Sequence, residues 1–401
     1  MFLEILLAIC CGVTAGIFTG LTPGIHINLV SVMLLSFSPL LLRHASPLSL
    51  ACFIIAMSVV HTFLDSIPSV FLGAPDSDQA LGVLPGHRYL LAGHGLKAVK
   101  LTLIGSFGAV ILSILIFPVI LPIIRYGYPF ISRYIGYLLI ATALFMIIRD
   151  NKRLWAAVVF FMAGMLGLIV LNMPNLKNPL FPLLSGLFGI STLLISILDK
   201  QAVPEQKEDN EITTRKGIIA KALFSGQFSG FITAVLPGLG AATAAVLSMQ
   251  ITRKLGDQGF MILIGSIGTV NFILSIATLY IIDKARNGSI IAVKELLPGG
   301  ITAISVVVFL SATLISGGLG VILCLVIGRM FARLIAKINY RMLITGIIIF
   351  IAALTAILTG WIGMVILFVS TALGMIPAKI RITRTHCMGC LLLPVILYFM
   401  A

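Results

Sequence analysis

His61 and Asp65 stand four residues apart inside the apolar stretch 47–66. That spacing puts both on one face of a helix. Ionisable groups within a membrane-grade segment are costly unless paired, hydrated or in use, so one reading is a proton or cation site. The other is an acid solvated at the helix end, at the cytoplasmic interface. The matching stretch of the second half reads Asn271-Phe272-Ile273-Leu274-Ser275, which keeps a polar pair at the same spacing and drops both charges. A coupling ion, H⁺ or Na⁺, would then be served mainly by the first half, with His61, Asp65, Asn271 and Ser275 as candidates.

A second chemistry is carried by a phrase that occurs twice. Gly16-Ile17-Phe18-Thr19-Gly20-Leu21-Thr22-Pro23-Gly24 returns 214 residues later as Gly230-Phe231-Ile232-Thr233-Ala234-Val235-Leu236-Pro237-Gly238. Proline removes a backbone donor and clashes with the preceding turn, and glycine permits the sharp backbone that follows. A helix starting just after such a break offers unpaired N–H groups and a positive dipole end to a carboxylate or phosphate. Interrupted hydrophobic segments at matching places in two halves point to a transporter site; a structural kink is the plainer alternative for either break alone. The candidate binding residues are Thr22, Pro23, Gly24, His26 and Asn28 at the first break. At the second they are Pro237, Gly238, Gly240 and Thr243, with Ser248 following.

The segment from Gly73 to Gly95 is the chain's densest mix of glycine, proline and small polar groups. A loop of that length without strong periodicity is usually functional. Gly73, Pro75, Asp76, Ser77 and Asp78 are therefore expected in a re-entrant or gating segment that reaches the broken hairpin. Asp76-x-Asp78 lacks the glycine and terminal acid of a calcium loop. His386-Cys387-Met388-Gly389-Cys390 has CxxC spacing but no second pair to complete a zinc site, so no metal is expected. No P-loop, GxSxG or HExxH motif is present, and no enzyme activity or organic cofactor is expected.

The elements that must position these residues follow from composition. The 401 residues are 59% hydrophobic and 10% charged, with a mean hydropathy of +1.16. A bilayer, not a soluble core, needs that much apolar surface. Continuous rather than alternating apolar runs argue against a β-barrel. Basic residues lie in short loops between apolar runs, so the net charge of +14 reflects orientation and not nucleic acid. Apolar stretches fall at roughly 2–20, 25–42, 47–66, 98–124, 134–148, 154–172 and 179–198. After the polar segment Asp199–Arg215 they resume at roughly 218–236, 239–252, 259–282, 301–328, 342–358, 361–376 and 386–400.

Residues 2–42 would run to roughly 60 Å as one helix, twice the hydrocarbon thickness. They are expected to fold back at Pro23-Gly24. Five further segments then make each half odd in count, which forces the second half to be inverted. With the polar segment cytoplasmic, 20 basic residues fall inside and 7 outside, in line with that arrangement. It also places both termini outside. The N-terminus lacks a basic region and carries Glu4, so no signal peptide is expected. The expected architecture is an all-α polytopic membrane protein of the cell membrane. It comprises an N-terminal repeat 1–198, a solvated cytoplasmic linker 199–217 and an inverted C-terminal repeat 218–401. Each repeat holds a Pro-Gly-broken hairpin and about five more segments.

The two breaks, the ending Leu236-Pro237-Gly238-Leu239-Gly240, and the loop carrying Gly73-Ala74-Pro75-Asp76-Ser77 and Gly93-His94-Gly95 together resemble the large membrane subunit of tripartite tricarboxylate transporters. The resemblance spans most of the chain, and its specific part is the two breaks and this loop. His26, Asp76 and Asp78 stand where that family favours smaller or uncharged residues. The resemblance implies secondary uptake of small carboxylates driven by H⁺ or Na⁺. It also implies a small membrane subunit and an extracytoplasmic binding protein as partners; a homo-oligomer is a further expectation. The same helix N-termini would suit a translocase for a polyprenyl-phosphate lipid carrier, aided by Arg88 and His87. A non-transporting membrane enzyme or assembly factor is the reading from a different class.

Overall fold

The computed structural model describes residues 2–22, 27–72, 83–174, 176, 179–198, 204–207, 212–236, 244–245, 248, 252, 255–285, 287–335 and 340–400. Every regular element among them is helical. The first half contains α1 (Phe2–Leu21), α2 (Ile27–Ser36), α3 (Pro47–Phe71), α4 (Val83–Leu91), α5 (Gly95–Ile131), α6 (Ile135–Arg149) and α7 (Arg153–Leu171). It closes with α8, which runs Leu180–Leu184, passes through a π-helical segment Ser185–Ile190 and continues Ser191–Leu198. The second half contains α9 (Lys216–Val235), α10 (Gly256–Ile282), α11 (Gly288–Leu296), α12 (Ala303–Ile335), α13 (Tyr340–Ile380) and α14 (Gly389–Met400).

Among the described residues, eight helices are long and apolar enough to cross a bilayer. A 20-residue helix rises about 30 Å, which matches the hydrocarbon thickness. The chain is a multi-pass helical membrane protein. α3 and α10 are the central pair, 72% and 83% buried within the fold, whereas only 28% of α1 or α13 is. The difference is visible in composition: α1 carries Phe2, Leu3, Leu7 and Phe18 outward, where lipid would solvate them.

Local signals set the helix starts. Pro47 opens α3 behind Ser46, whose side chain accepts from the Ser49 N–H; the Ser46 N–H in turn donates to Glu4 Oε1 at 2.6 Å. Asn287 caps α11 through the Ser289 N–H. α13 breaks at Gly360, whose φ of 66° and ψ of −162° suit only glycine. The two separate stretches expected at 342–358 and 361–376 flank this break.

Three expectations need correction. The membrane-length stretch continues past residue 66 to Phe71: Asp65 caps the C-terminal end of the helix Pro47–Leu64, and a second short helix, Ser66–Phe71, follows it directly, so Asp65 lies at a junction within the span. Residues 83–91 of the expected loop form the helix α4, whose Leu90 is fully buried. Part of the expected solvated linker is docked. Gln206 accepts from the Gly95 N–H at 2.9 Å and donates to the Leu90 carbonyl at 3.0 Å, and the Lys207 N–H donates to the Gly93 carbonyl at 2.9 Å. Gln206 thus caps the start of α5 and the end of α4 together. Both are helix ends, whose backbone groups lack partners within the helix.

Helix packing is governed by glycines. α1 crosses α3 with Gly12, Gly16 and Gly20 facing it; a Cβ on Gly12 would lie 2.4 Å from the Phe53 carbonyl oxygen. α9 crosses α10 in the same manner through Gly226 and Gly230. α5 and α10 also cross in backbone contact: a Cβ on Gly105 would lie 2.1 Å from Ile262 O, and one on Gly265 would lie 2.2 Å from Thr102 O. Such backbone contact is how helices gain dispersion attraction in lipid, where burial from water supplies none.

Candidate functional site

The two Pro-Gly pairs follow directly on the ends of α1 and α9. α1 ends at Leu21 and α2 begins at Ile27; α9 ends at Val235, and Leu236 is already extended at φ −95°, ψ 120°. Pro23, Gly24, His26, Pro237, Gly238, Gly240 and Thr243 lie outside the described residues, as do Gly73, Pro75, Asp76, Ser77 and Asp78. Thr22 is described, and its hydroxyl donates to the Phe18 carbonyl at 2.6 Å. Asn28 lies in the first turn of α2. Ser248 is buried and hydrogen-bonds Ser229 of α9.

The helices leading into the breaks are registered against the polar pairs. Gly16 of α1 sits on Met57 and Val60 of α3; one turn later Gly20 sits on the His61 backbone, its notional Cβ 3.1 Å from His61 O. Gly230 of α9, the repeat partner of Gly16, sits on Ile267 and Val270 of α10, and Asn271 is the next residue. α1 thus packs on His61 near its end, and α9 packs on the residue just before Asn271. Spacing along the sequence predicted the pairs and the breaks separately; packing joins them.

His61 and Asp65 are 3% and 5% exposed. Asp65 does stand at the end of the helix Pro47–Leu64, but it is buried there and not solvated. The sulfur of Cys324, from α12, donates to the Phe63 carbonyl at 3.4 Å, so the second half closes over this part of α3. Ser275 is buried, and its hydroxyl bonds back to the Asn271 carbonyl at 2.7 Å. Asn271 Oδ1 is buried with no hydrogen-bond partner among the described residues, which leaves an acceptor open to a donor or a cation. Thr62 of α3 and Thr269 of α10 meet hydroxyl to hydroxyl at 3.2 Å. The two central helices therefore touch beside the polar pairs.

Elsewhere, Arg88 pairs with Asp257 at 3.3 Å across α4 and α10, and the ion pair is solvent-exposed. His87 is held below the usual histidine range by burial. The CxxC cysteines, Cys387 and Cys390, are fully buried, and among the described residues no cluster of three or more metal-ligating side chains occurs.

One polar cluster had not been anticipated. Asp150, in the turn between α6 and α7, meets His386 in the 3₁₀ turn Arg384–Met388 ahead of α14. Asp150 also accepts from the Lys152 N–H at 3.0 Å, the Thr383 N–H at 3.1 Å and the Thr383 hydroxyl at 3.0 Å. Burial pushes its pKa up, but these four partners outweigh that and hold it at about 2. The signal in the sequence was an acid flanked by Arg149, Lys152 and Arg153 in a chain with only 13 acids.

A family model described as the tripartite tricarboxylate transporter TctA family matches residues 6–389 of the chain. An uncharacterized protein of Methanocaldococcus jannaschii is 30% identical over a 410-residue alignment that covers 99% of this chain and 98% of that protein. No solved structure matches.

Proposed function

The chain belongs to the tripartite tricarboxylate transporter TctA family, and on that premise we propose that it is the permease subunit for small carboxylates, with its site where the two Pro-Gly breaks meet the central helices. It is a membrane protein of a transporter family with several membrane-spanning helices. The single observation that supports the site is the shared register: Gly16 packs on Val60, the residue before His61, and its repeat partner Gly230 packs on Val270, the residue before Asn271. Freed backbone N–H groups at broken helices suit a carboxylate, and nearby polar pairs suit a cation.

In this reading the substrate carboxylates are held between the breaks by Thr22, Pro23, Gly24, His26 and Asn28 on one side. Pro237, Gly238, Gly240 and Thr243 hold them on the other. The coupling ion, H⁺ or Na⁺, is taken by His61 and Asp65; Asn271 and Ser275 form the neutral counterpart. The loop of Gly73, Pro75, Asp76, Ser77 and Asp78 gates access. The halves 1–198 and 218–401 are inverted repeats in the cell membrane, a reading supported by the matched crossings of α1 on α3 and α9 on α10. A small membrane subunit and an extracytoplasmic binding protein complete the system.

The test is uptake of radiolabelled citrate into proteoliposomes under an imposed H⁺ or Na⁺ gradient, with and without candidate partner proteins. Gradient-driven uptake that Asp65→Asn abolishes is the expected result. No uptake of citrate or other organic anions under either gradient would overturn the proposal.

A further inference from the structure

The helices sort into two groups by what they pack against, and the sorting cuts across the two halves of the chain. α1–α5 and α9–α12 form one group, the core: α1 packs on α3, α3 on α12, α10 on α5, α9 on α10 and α2 on α11. α6, α7, α8, α13 and α14 form the other, the frame: α14 packs on α7 and α6, α8 on α13, and α13 on α7. Among the described residues, every extensive helix-on-helix contact stays within one group. The groups meet at the 3₁₀ turn Ser132–Tyr134, where α5 passes into α6.

Each group is locked across the halves. In the core, the Ser106 hydroxyl donates to the Gly265 carbonyl at 2.9 Å, Ser113 to Gln227 Oε1 at 3.0 Å, and Thr62 meets Thr269. In the frame, His386 meets Asp150, Lys152 Nζ donates to the Ile380 carbonyl at 2.8 Å, and Arg384 donates to Thr192. Glycine contacts tighten the frame as they do the core. A Cβ on Gly167 would lie 1.9 Å from Cys390 O, and one on Gly374 would lie 2.2 Å from Leu187 O. All of these contacts stay inside one group. Rocking one half of the chain against the other would break every one of them.

The residues of the candidate site that the structure describes all lie in the core: His61 and Asp65 on α3, Asn271 and Ser275 on α10, and α1 and α9, which lead into the breaks. The outer faces of the two long helices α5 and α12 are apolar, with Leu115 73% and Ile322 60% exposed. Such faces slide past apolar surroundings without loss of hydrogen bonds.

We propose that the core moves as one body against the frame and carries both breaks and both polar pairs with it. The proposal rests on the transport reading for its purpose, though its test does not need transport. Spin labels go onto outward-facing positions in a background lacking Cys10 and Cys11. Phe18→Cys and Phe224→Cys mark the core, one in each half, and Leu154→Cys and Phe368→Cys mark the frame, again one in each half.

Double electron–electron resonance is recorded in lipid nanodiscs in Na⁺ or K⁺, with and without citrate. The 18–224 and 154–368 distances are expected to stay single and unchanged, while the 18–154 or 224–368 distance splits or shifts between conditions. A shifting 18–224 distance, or core-to-frame distances fixed under every condition, would overturn the proposal. Split core-to-frame distances in a protein that takes up no citrate would leave the proposal standing and remove the transport reading.

Discussion

Asp150 Oδ2 and His386 Nε2 lie 3.0 Å apart although 236 residues separate them, and both side chains are almost wholly buried. The contact pins the turn between α6 and α7 to the lead-in of α14, so a first-half turn depends on a second-half segment. Removing the carboxylate leaves the buried His386 ring nitrogen and the Lys152 and Thr383 N–H groups without their partner. Asp150→Ala is expected to destabilise the protein by about 1–3 kcal/mol, read as a lower apparent Tm in detergent. An unchanged Tm would show that the pair is idle.

The same carboxylate sets an acid limit. Its pKa is lowered from 3.8 to about 2 in the folded chain. A depressed carboxylate contributes stability that is full above the unfolded pKa and is lost as pH falls through the folded one. The window is therefore about pH 4 down to about pH 2, with about 2 kcal/mol at stake. Apparent Tm against pH should fall more steeply there in the wild type than in Asp150→Asn. Parallel curves would exclude Asp150 as the cause.

Close glycine crossings give a paired test. Gly105→Ala and Gly265→Ala each drive a methyl into a facing carbonyl, whereas a Cβ on Gly318 meets nothing within 4 Å. Overpacking of this kind costs about 1–3 kcal/mol or more, while Gly318→Ala should gain up to about 1 kcal/mol of helix propensity. Thermal unfolding followed by size-exclusion fluorescence separates the outcomes. Equal tolerance of all three substitutions would remove the close crossing from the account.

Gln206 gives a local prediction. Gln206→Ala removes the acceptor that caps α5 at Gly95 and the donor that meets Leu90. Hydrogen exchange at the start of α5 should quicken by about fivefold to thirtyfold, as expected for a lost cap worth about 1–2 kcal/mol. Gln206→Glu retains an acceptor for Gly95 and should restore part of the protection. No change in either variant would mean the linker rests there without holding anything.

The polar pairs are unequal, and that can be measured. Asp65→Asn should cut citrate uptake by at least about tenfold, a barrier change of about 1.4 kcal/mol. Ser275→Ala removes only a hydroxyl that already bonds within its own helix, so uptake should stay within about twofold. Equal losses would argue that the two halves contribute alike.

How much of this was legible beforehand depends on range. Apolar runs located nearly every long helix, because hydropathy over about 20 residues is a local property; the expected 98–124 became Gly95–Ile131. The interruption between 358 and 361 was legible at Gly360 for the same reason. The repeated phrase also gave the glycines that seat α1 on α3 and α9 on α10. Which helix seats on which was not legible. Nothing in the periodicity of α14 says that it leaves its own half to pack on α7, or that His386 will find Asp150. Those choices are made by shape: Gly164 and Gly167 open a groove on α7 that the segment from Cys390 to Leu393 fills. Gln206 was hidden for a related reason, since a polar run reads as solvated until a helix end with free backbone groups is placed beside it.

The seating of α14 on α7 also has a consequence for biosynthesis. Chains fold from the N-terminal side as they are made, so α7 enters the bilayer with its groove empty and waits for a helix translated long afterwards. During that interval the groove is open to lipid, to an insertion factor, or to the α14 of a neighbouring nascent chain. Assembly of the frame is therefore a late event, vulnerable to crowding on a polysome in a way that the pairing of α1 with α3 is not.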